Sequence, residues 1–152
     1  MSTQVKKMKG TGILEIILRE NAKKNSYSYL LIEKILLESK YDWLKCVISG
    51  NELLGQGYLY AKSSGKKYKI LISYSYNRSG RFDKIWVVEP NIPYHAETHM
   101  YFDDTLCLYH PKDLPVTRIT PLATMLPWIS EWLVKYEFWE KYKVWIGEEA
   151  PH

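Results

Sequence analysis

Near Asp42 the spacing of apolar residues changes from every third or fourth position to every second, and it keeps that period to Pro90. "DWLKCVISG" places Leu44, Cys46 and Ile48 on one side of an extended chain. "GQGYLYAKSSGKKYKILISYSYN" reads as two strands joined by a Ser-Ser-Gly turn, and Tyr68, Ile70, Ile72, Tyr74 and Tyr76 share one face of the second. After the turn "NRSGR", "FDKIWVVEP" makes a fourth strand. The prolines of "PNIPYH" end it, because they cannot donate to a ladder. Four short strands with tight turns predict an antiparallel meander.

A half-apolar sheet needs cover, and the flanking segments supply it. From Ile13 to about Lys40 the spacing is helical, with Leu14, Ile17 and Leu18 on one face and Leu31, Ile32, Ile35 and Leu36 on another. "KKNS" breaks this stretch into two helices, with Ser26 or Ser28 as the N-cap. Past the sheet, "PKDLPVTRIT" is a loop, and a helix is predicted from Pro121 to about Tyr142. Thr120 is its expected N-cap, with Pro121 at the first helical position and Pro127 kinking or splitting it. Trp128, Trp132, Tyr136 and Trp139 form a stripe expected to pack against the sheet. Glu131–Lys135 and Glu137–Lys141 read as surface pairs. The predicted class is α+β, a four-stranded antiparallel meander flanked by helices. Residues 1–12 are expected to be a flexible tail and 13–152 a single domain, within reach of 152 residues at 46% hydrophobic content.

Several function classes drop out. There is no run of about 18 apolar residues for a membrane span and no apolar stretch with a cleavage site for secretion. Cys46 and Cys107 are too few for a disulfide framework, so a cytoplasmic location is the default. Residues 1–84 carry 16 basic against 7 acidic groups and residues 85–152 carry 5 against 10. The basic half is able to steer an acidic partner. Its lysines are scattered, however, without a nucleic-acid motif, so a solvated surface is the simpler reading and no nucleic acid is expected.

Chemistry concentrates in "ETHMYFDDTLCLYHP", Glu97–Pro111. If Leu106 and Leu108 point inward, strand parity turns Cys107 toward solvent, where a thiol can act as a nucleophile. Cys46 shares parity with Leu44 and Ile48 and reads as a small core residue. A metal site would draw on Cys107, His95, His99, His110 and the aspartates, but structural zinc brings paired cysteines and none are present. No metal or other cofactor is expected. A cysteine hydrolase would pair Cys107 with His99 or His110. A non-catalytic interaction domain with an incidental cysteine also stands.

The element order and "TLCLYHP" resemble the ubiquitin-conjugating enzymes: helix, four-stranded meander, proline-rich exit, a loop with an Ile/Leu-Cys-Leu triplet, then more helix. "RITPLAT" is similar to the family's Ser-Pro start of the next helix. The usual His-Pro-Asn tripeptide upstream of the cysteine is absent. "HMY" at His99–Tyr101 stands in its place, nearer the cysteine, and lacks the asparagine that helps stabilise the oxyanion. With these departures, "HMYFDDTLCLYHP", "LPWISEWLVKYEFW" and "WIGEEAPH" look like the stand-alone conjugating-enzyme-like proteins of anti-phage CBASS operons.

The resemblance implies a transferase that carries the C-terminus of a cyclic-oligonucleotide synthase (CD-NTase) as a thioester on Cys107 and passes it to an amine on an acceptor protein. On that reading His99 replaces the His-Pro-Asn group as donor or organiser. Asp103 and Asp104 orient the incoming amine, or merely form a solvated turn. His110 tunes the thiol or caps the following loop, and Tyr101 and Tyr109 line a shallow groove for the tail.

Overall fold

The computed structural model describes residues 3–109 and 121–147, as backbone alone over residues 3–12 and at Glu15. Thr120, His110 and the rest of 110–120, the stretch read as a loop from sequence, lie outside the described residues. The chain runs α1 (Thr3–Lys24), α2 (Ser26–Lys40), β1 (Leu44–Ser49), β2 (Glu52–Tyr60), β3 (Lys67–Tyr74), β4 (Asp83–Glu89) and α3 (Leu122–Tyr142). The strands form one antiparallel sheet in the order β1-β2-β3-β4. This is the predicted α+β meander.

Two glycines set the first hairpin. β1 and β2 are paired from Ser49↔Glu52 outward, leaving Gly50 and Asn51 as the loop. Gly50 has φ 60°, and glycine with positive φ at the first of two loop positions lets the turn follow the strand twist. Further along β2, the Trp43 carbonyl oxygen lies 1.9 Å from where a Cβ on Gly57 would sit. No side chain fits there.

One face of the sheet is buried. Leu44, Leu53, Tyr68, Ile70, Ile72, Tyr74, Ile85 and Val87 all lie inside, and the predicted inward row of β3 extends to Tyr76. Leu30 and Leu37 from α2 and Leu122, Met125, Ile129 and Leu133 from α3 close over it. Each such side chain removed from water contributes roughly 1.5–3 kcal/mol. The open face carries Val47, Tyr58, Tyr60 and Leu71 in contact with solvent.

The helices depart from expectation in several places. α2 faces the core with Ser26, Leu30, Glu33 and Leu37, whereas Leu31, Ile32, Ile35 and Leu36 are exposed. The helix is apolar on both sides, so periodicity alone does not select the inner one. Asn25, not Ser26 or Ser28, stands at the cap position of α2 and makes no side-chain cap bond. Its amide donates instead to the Asn21 carbonyl and side chain, while Ser26 Oγ donates to Asn51 Oδ1 at 3.1 Å. α1 begins at Thr3, so the expected tail over 1–12 is helical backbone from that residue on. Its Ile13, Leu14, Ile16 and Ile17 are exposed.

α3 passes through Pro127 without splitting, and Pro121 takes the cap position instead of the first helical turn. A proline has no side-chain acceptor for the helix's unsatisfied N–H groups. The acceptor comes from α2: the Leu122 N–H donates to Glu33 Oε2 at 3.1 Å. Glu33 is buried, and burial pushes its carboxyl up to about 7 against the pull of the Leu122 and Ala123 N–H groups. Tyr41 OH donates to the Ala123 carbonyl at 3.0 Å and ties the same two helices together.

Candidate functional site

The outer edge of β4 builds the cysteine segment. Met100 and Leu106 form an antiparallel bridge, closed by Tyr101 N–H to the Thr105 carbonyl (2.8 Å) and Cys107 N–H to the His99 carbonyl (3.0 Å). The turn between them carries Asp104 at φ 67°, a conformation that Asp tolerates better than most residues. Leu106 N–H donates to the Ile85 carbonyl at 2.8 Å, which docks this small hairpin on the sheet edge. Trp86 Nε1 donates to the Asp103 carbonyl at 3.2 Å and fastens the turn.

Cys107 is not at the surface. It is 5% exposed, and Thr105 and Leu106 beside it are buried too. Strand parity fails here because both sides of the segment are covered. Leu106 enters the core, and the Cys107 sulfur meets the Tyr101 hydroxyl and the Tyr109 backbone. Burial raises the Cys107 thiol above its ordinary value of 9.0, offset in part by a hydrogen bond from Tyr101, the Tyr109 backbone and the charge of Arg81. The thiol lies 3.6 Å from the Tyr109 carbonyl oxygen, to which it donates. Cys46 is buried as predicted, with its thiol pushed by burial up to about 11.

Around the sulfur stands a polar cluster centred on Arg81. Its guanidinium carbon is 3.5 Å from the centre of the Tyr101 ring, and it donates to Thr105 Oγ1 at 3.1 Å. It faces Asp83 at 3.9 Å and Asp103 at 3.7 Å. Asp83 is 4% exposed and accepts from Tyr109 OH at 2.9 Å. Burial raises its carboxyl even so, against the pull of Tyr109 and Arg81. Burial also raises the hydroxyls of Tyr101 and Tyr109, so both remain protonated donors at neutral pH.

Arg81 and Asp83 were missed in the sequence. The available signal was parity: Asp83 falls on the inward register of "FDKIWVVE" with Ile85 and Val87, and a carboxylate there requires a partner.

The other named residues hold the frame. The His99 ring stacks on Trp145 at 5.0 Å and 12°, and its backbone has φ 48°. Trp132 Nε1 donates to both the Thr98 and His99 carbonyls at 3.1 Å. Asp103 accepts from Lys84 at 3.1 Å and from Thr105 N–H at 3.2 Å. Partial burial pushes its carboxyl up, but these bonds outweigh it and hold it below the usual carboxylate value. Asp104 Oδ1 accepts from the Tyr94 N–H at 2.7 Å. Both aspartates therefore tie the turn to its neighbours.

The aromatic stripe of α3 packs on the core as expected, with Trp132 buried in it and Trp128 and Tyr136 against it, and it also meets this loop. Trp128 contacts Tyr109 edge-on at 6.0 Å, Tyr136 stacks on Trp132 at 5.1 Å, and Trp139 lies 4.6 Å from the His95 ring. Glu131 and Lys135 pair at 3.5 Å as expected. Glu137 instead accepts from Ser63 Oγ, from Ser64 Oγ at 2.7 Å and from Tyr68 OH at 2.8 Å, fixing the β2–β3 turn to α3.

Among the described residues no group of three His, Cys, Asp or Glu side chains is placed to hold a metal ion. No described helix is long and apolar enough to cross a membrane.

Helices before and after a four-stranded meander, with a cysteine seated in a loop on the β4 edge, define a ubiquitin-conjugating-enzyme-like fold. The family model described as Type II CBASS E2 protein matches residues 33–152, and the chain belongs to that family. No curated protein matches it.

Proposed function

We propose that this protein is a cysteine transferase that carries the C-terminus of a CBASS cyclic-oligonucleotide synthase as a thioester on Cys107 and delivers it to an amine. The observation that supports this most is the family match, which spans Cys107 and its whole cradle. The cradle suits the chemistry. A thioester shuttle needs a thiol whose anion is stabilised when it attacks or departs. Burial and Asp83 hold the Cys107 thiol above its ordinary value, and Tyr101, the Tyr109 backbone and Arg81 act against them in favour of the anion. Tyr101 and Tyr109 would border the carried tail.

Burial of Cys107 favours a second reading, a non-catalytic module that binds the same operon components without covalent chemistry. Intact mass after co-expression with the synthase separates the two. A reductant-labile adduct equal to the synthase, absent from Cys107→Ser and from a synthase lacking its last residues, is the expected result. A tight complex with no adduct under any condition would establish the module instead.

A further inference from the structure

The thiol of Cys107 is bracketed from two directions. Its Sγ donates toward the Tyr109 carbonyl at 3.6 Å, and the Tyr101 hydroxyl hydrogen-bonds to it. A phenol donor to a sulfur is most effective when its ring is held in place beforehand. The Tyr101 ring is fixed by the Arg81 guanidinium 3.5 Å from its centre. Arg81 is held in turn by Thr105 Oγ1 (3.1 Å), the Asp83 carbonyl (3.3 Å) and the carboxylates of Asp83 and Asp103. Asp83 has Tyr109 OH as its other partner. Among the described residues, the charged groups that act on the sulfur include the cation of Arg81 and the buried carboxylate of Asp83. The His99 ring faces Trp145, and it is the His99 carbonyl that meets the Cys107 N–H.

We infer that Tyr101 is a catalytic residue, the hydrogen-bond donor to the Cys107 sulfur anion, with Arg81 as the residue that positions it. The inference rests on the thioester reading. In transfer, the amine nitrogen attacks the thioester carbon, the N–C bond forms and the C–S bond breaks. The bonding pair leaves on Sγ, and the ammonium proton passes to water. The leaving sulfur then carries a full negative charge in a water-poor site, where a fixed donor is worth far more than in bulk solvent. Tyr101 supplies that donor. This answers how the protein manages without the asparagine of the usual tripeptide: the missing help at the carbonyl oxygen is offset by help at the leaving sulfur.

The test needs no partner protein. In a Cys46→Ser background only Cys107 remains to react with iodoacetamide, and its alkylation rate against pH reports the thiol titration. Tyr101→Phe keeps the ring beneath Arg81 and removes only the hydroxyl. It is expected to move the midpoint upward and to slow alkylation about tenfold at a fixed pH below it, as for one hydrogen bond to a charged group. Arg81→Lys keeps the charge without the flat group and should move the midpoint the same way by less. A Tyr101→Phe profile that superimposes on the parent overturns the inference. So does a uniform slowing with an unmoved midpoint, which would mean altered access alone. Absence of the synthase adduct in the wild-type protein would sink the thioester reading while leaving this profile as it is, so the two fail separately.

Discussion

Glu33→Gln tests how α2 and α3 are joined. Glu33 is buried, caps the first N–H of α3, and has Tyr74 and Tyr76 as neighbours. Its carboxyl is raised by burial from 4.5 to about 7. A group raised in the folded state binds its proton more tightly there than in the unfolded chain. Its contribution is therefore fully present below pH 4.5 and is lost as pH rises through about 7. At about 1.4 kcal/mol per pH unit, that interval corresponds to about 3 kcal/mol. Gln keeps an oxygen for the Leu122 N–H and does not titrate. It adds a buried NH2, which costs a constant amount at every pH. The stability difference between Glu33→Gln and wild type, from urea unfolding, should therefore shift in favour of the variant by about 2.5 kcal/mol between pH 5 and pH 8, part of the effect being already lost at pH 5. Two curves that stay parallel within about 0.5 kcal/mol would show that Glu33 does not titrate in this interval, and the argument from burial would fail.

Gly57→Ala should be among the most damaging small substitutions. The added methyl meets the Trp43 carbonyl, and the expected loss is about 3 kcal/mol or more, seen as a lower melting temperature by circular dichroism. Cys46→Ser and Cys107→Ser should each cost about 1–3 kcal/mol for a buried hydroxyl, and as read by intact mass the first should leave adduct formation intact while the second folds but forms no thiol-labile adduct. Glu137 has a carboxyl that burial pushes up and the Ser63, Ser64 and Tyr68 hydroxyls hold down, net below 4.5. Its contribution is present above that value and lost as pH falls through its lower folded value, so Glu137→Gln should differ most from wild type near neutrality and converge on it in acid unfolding.

The meander, its inward row from Tyr68 to Tyr76 and the helix from Leu122 were legible because a period of two or of 3.6 is a local property of backbone geometry. The core place of Cys46 was readable for the same reason. The cysteine itself was found through its triplet and its neighbours, and the family follows from motif. Which face of α2 turns inward was not local. Leu31, Ile32, Ile35 and Leu36 are as apolar as Leu30 and Leu37, and the choice is fixed by Glu33 reaching an N–H that lies 89 residues further along the chain. The surroundings of Cys107 were equally remote, since the groups that act on its sulfur include Tyr101 across the hairpin and Arg81 just ahead of β4. Sequence settles what each segment prefers to be by itself. The order in which distant polar groups satisfy one another settles where Cys107 sits and what surrounds its sulfur, because a buried N–H or carboxylate left without a partner costs more than any local preference supplies.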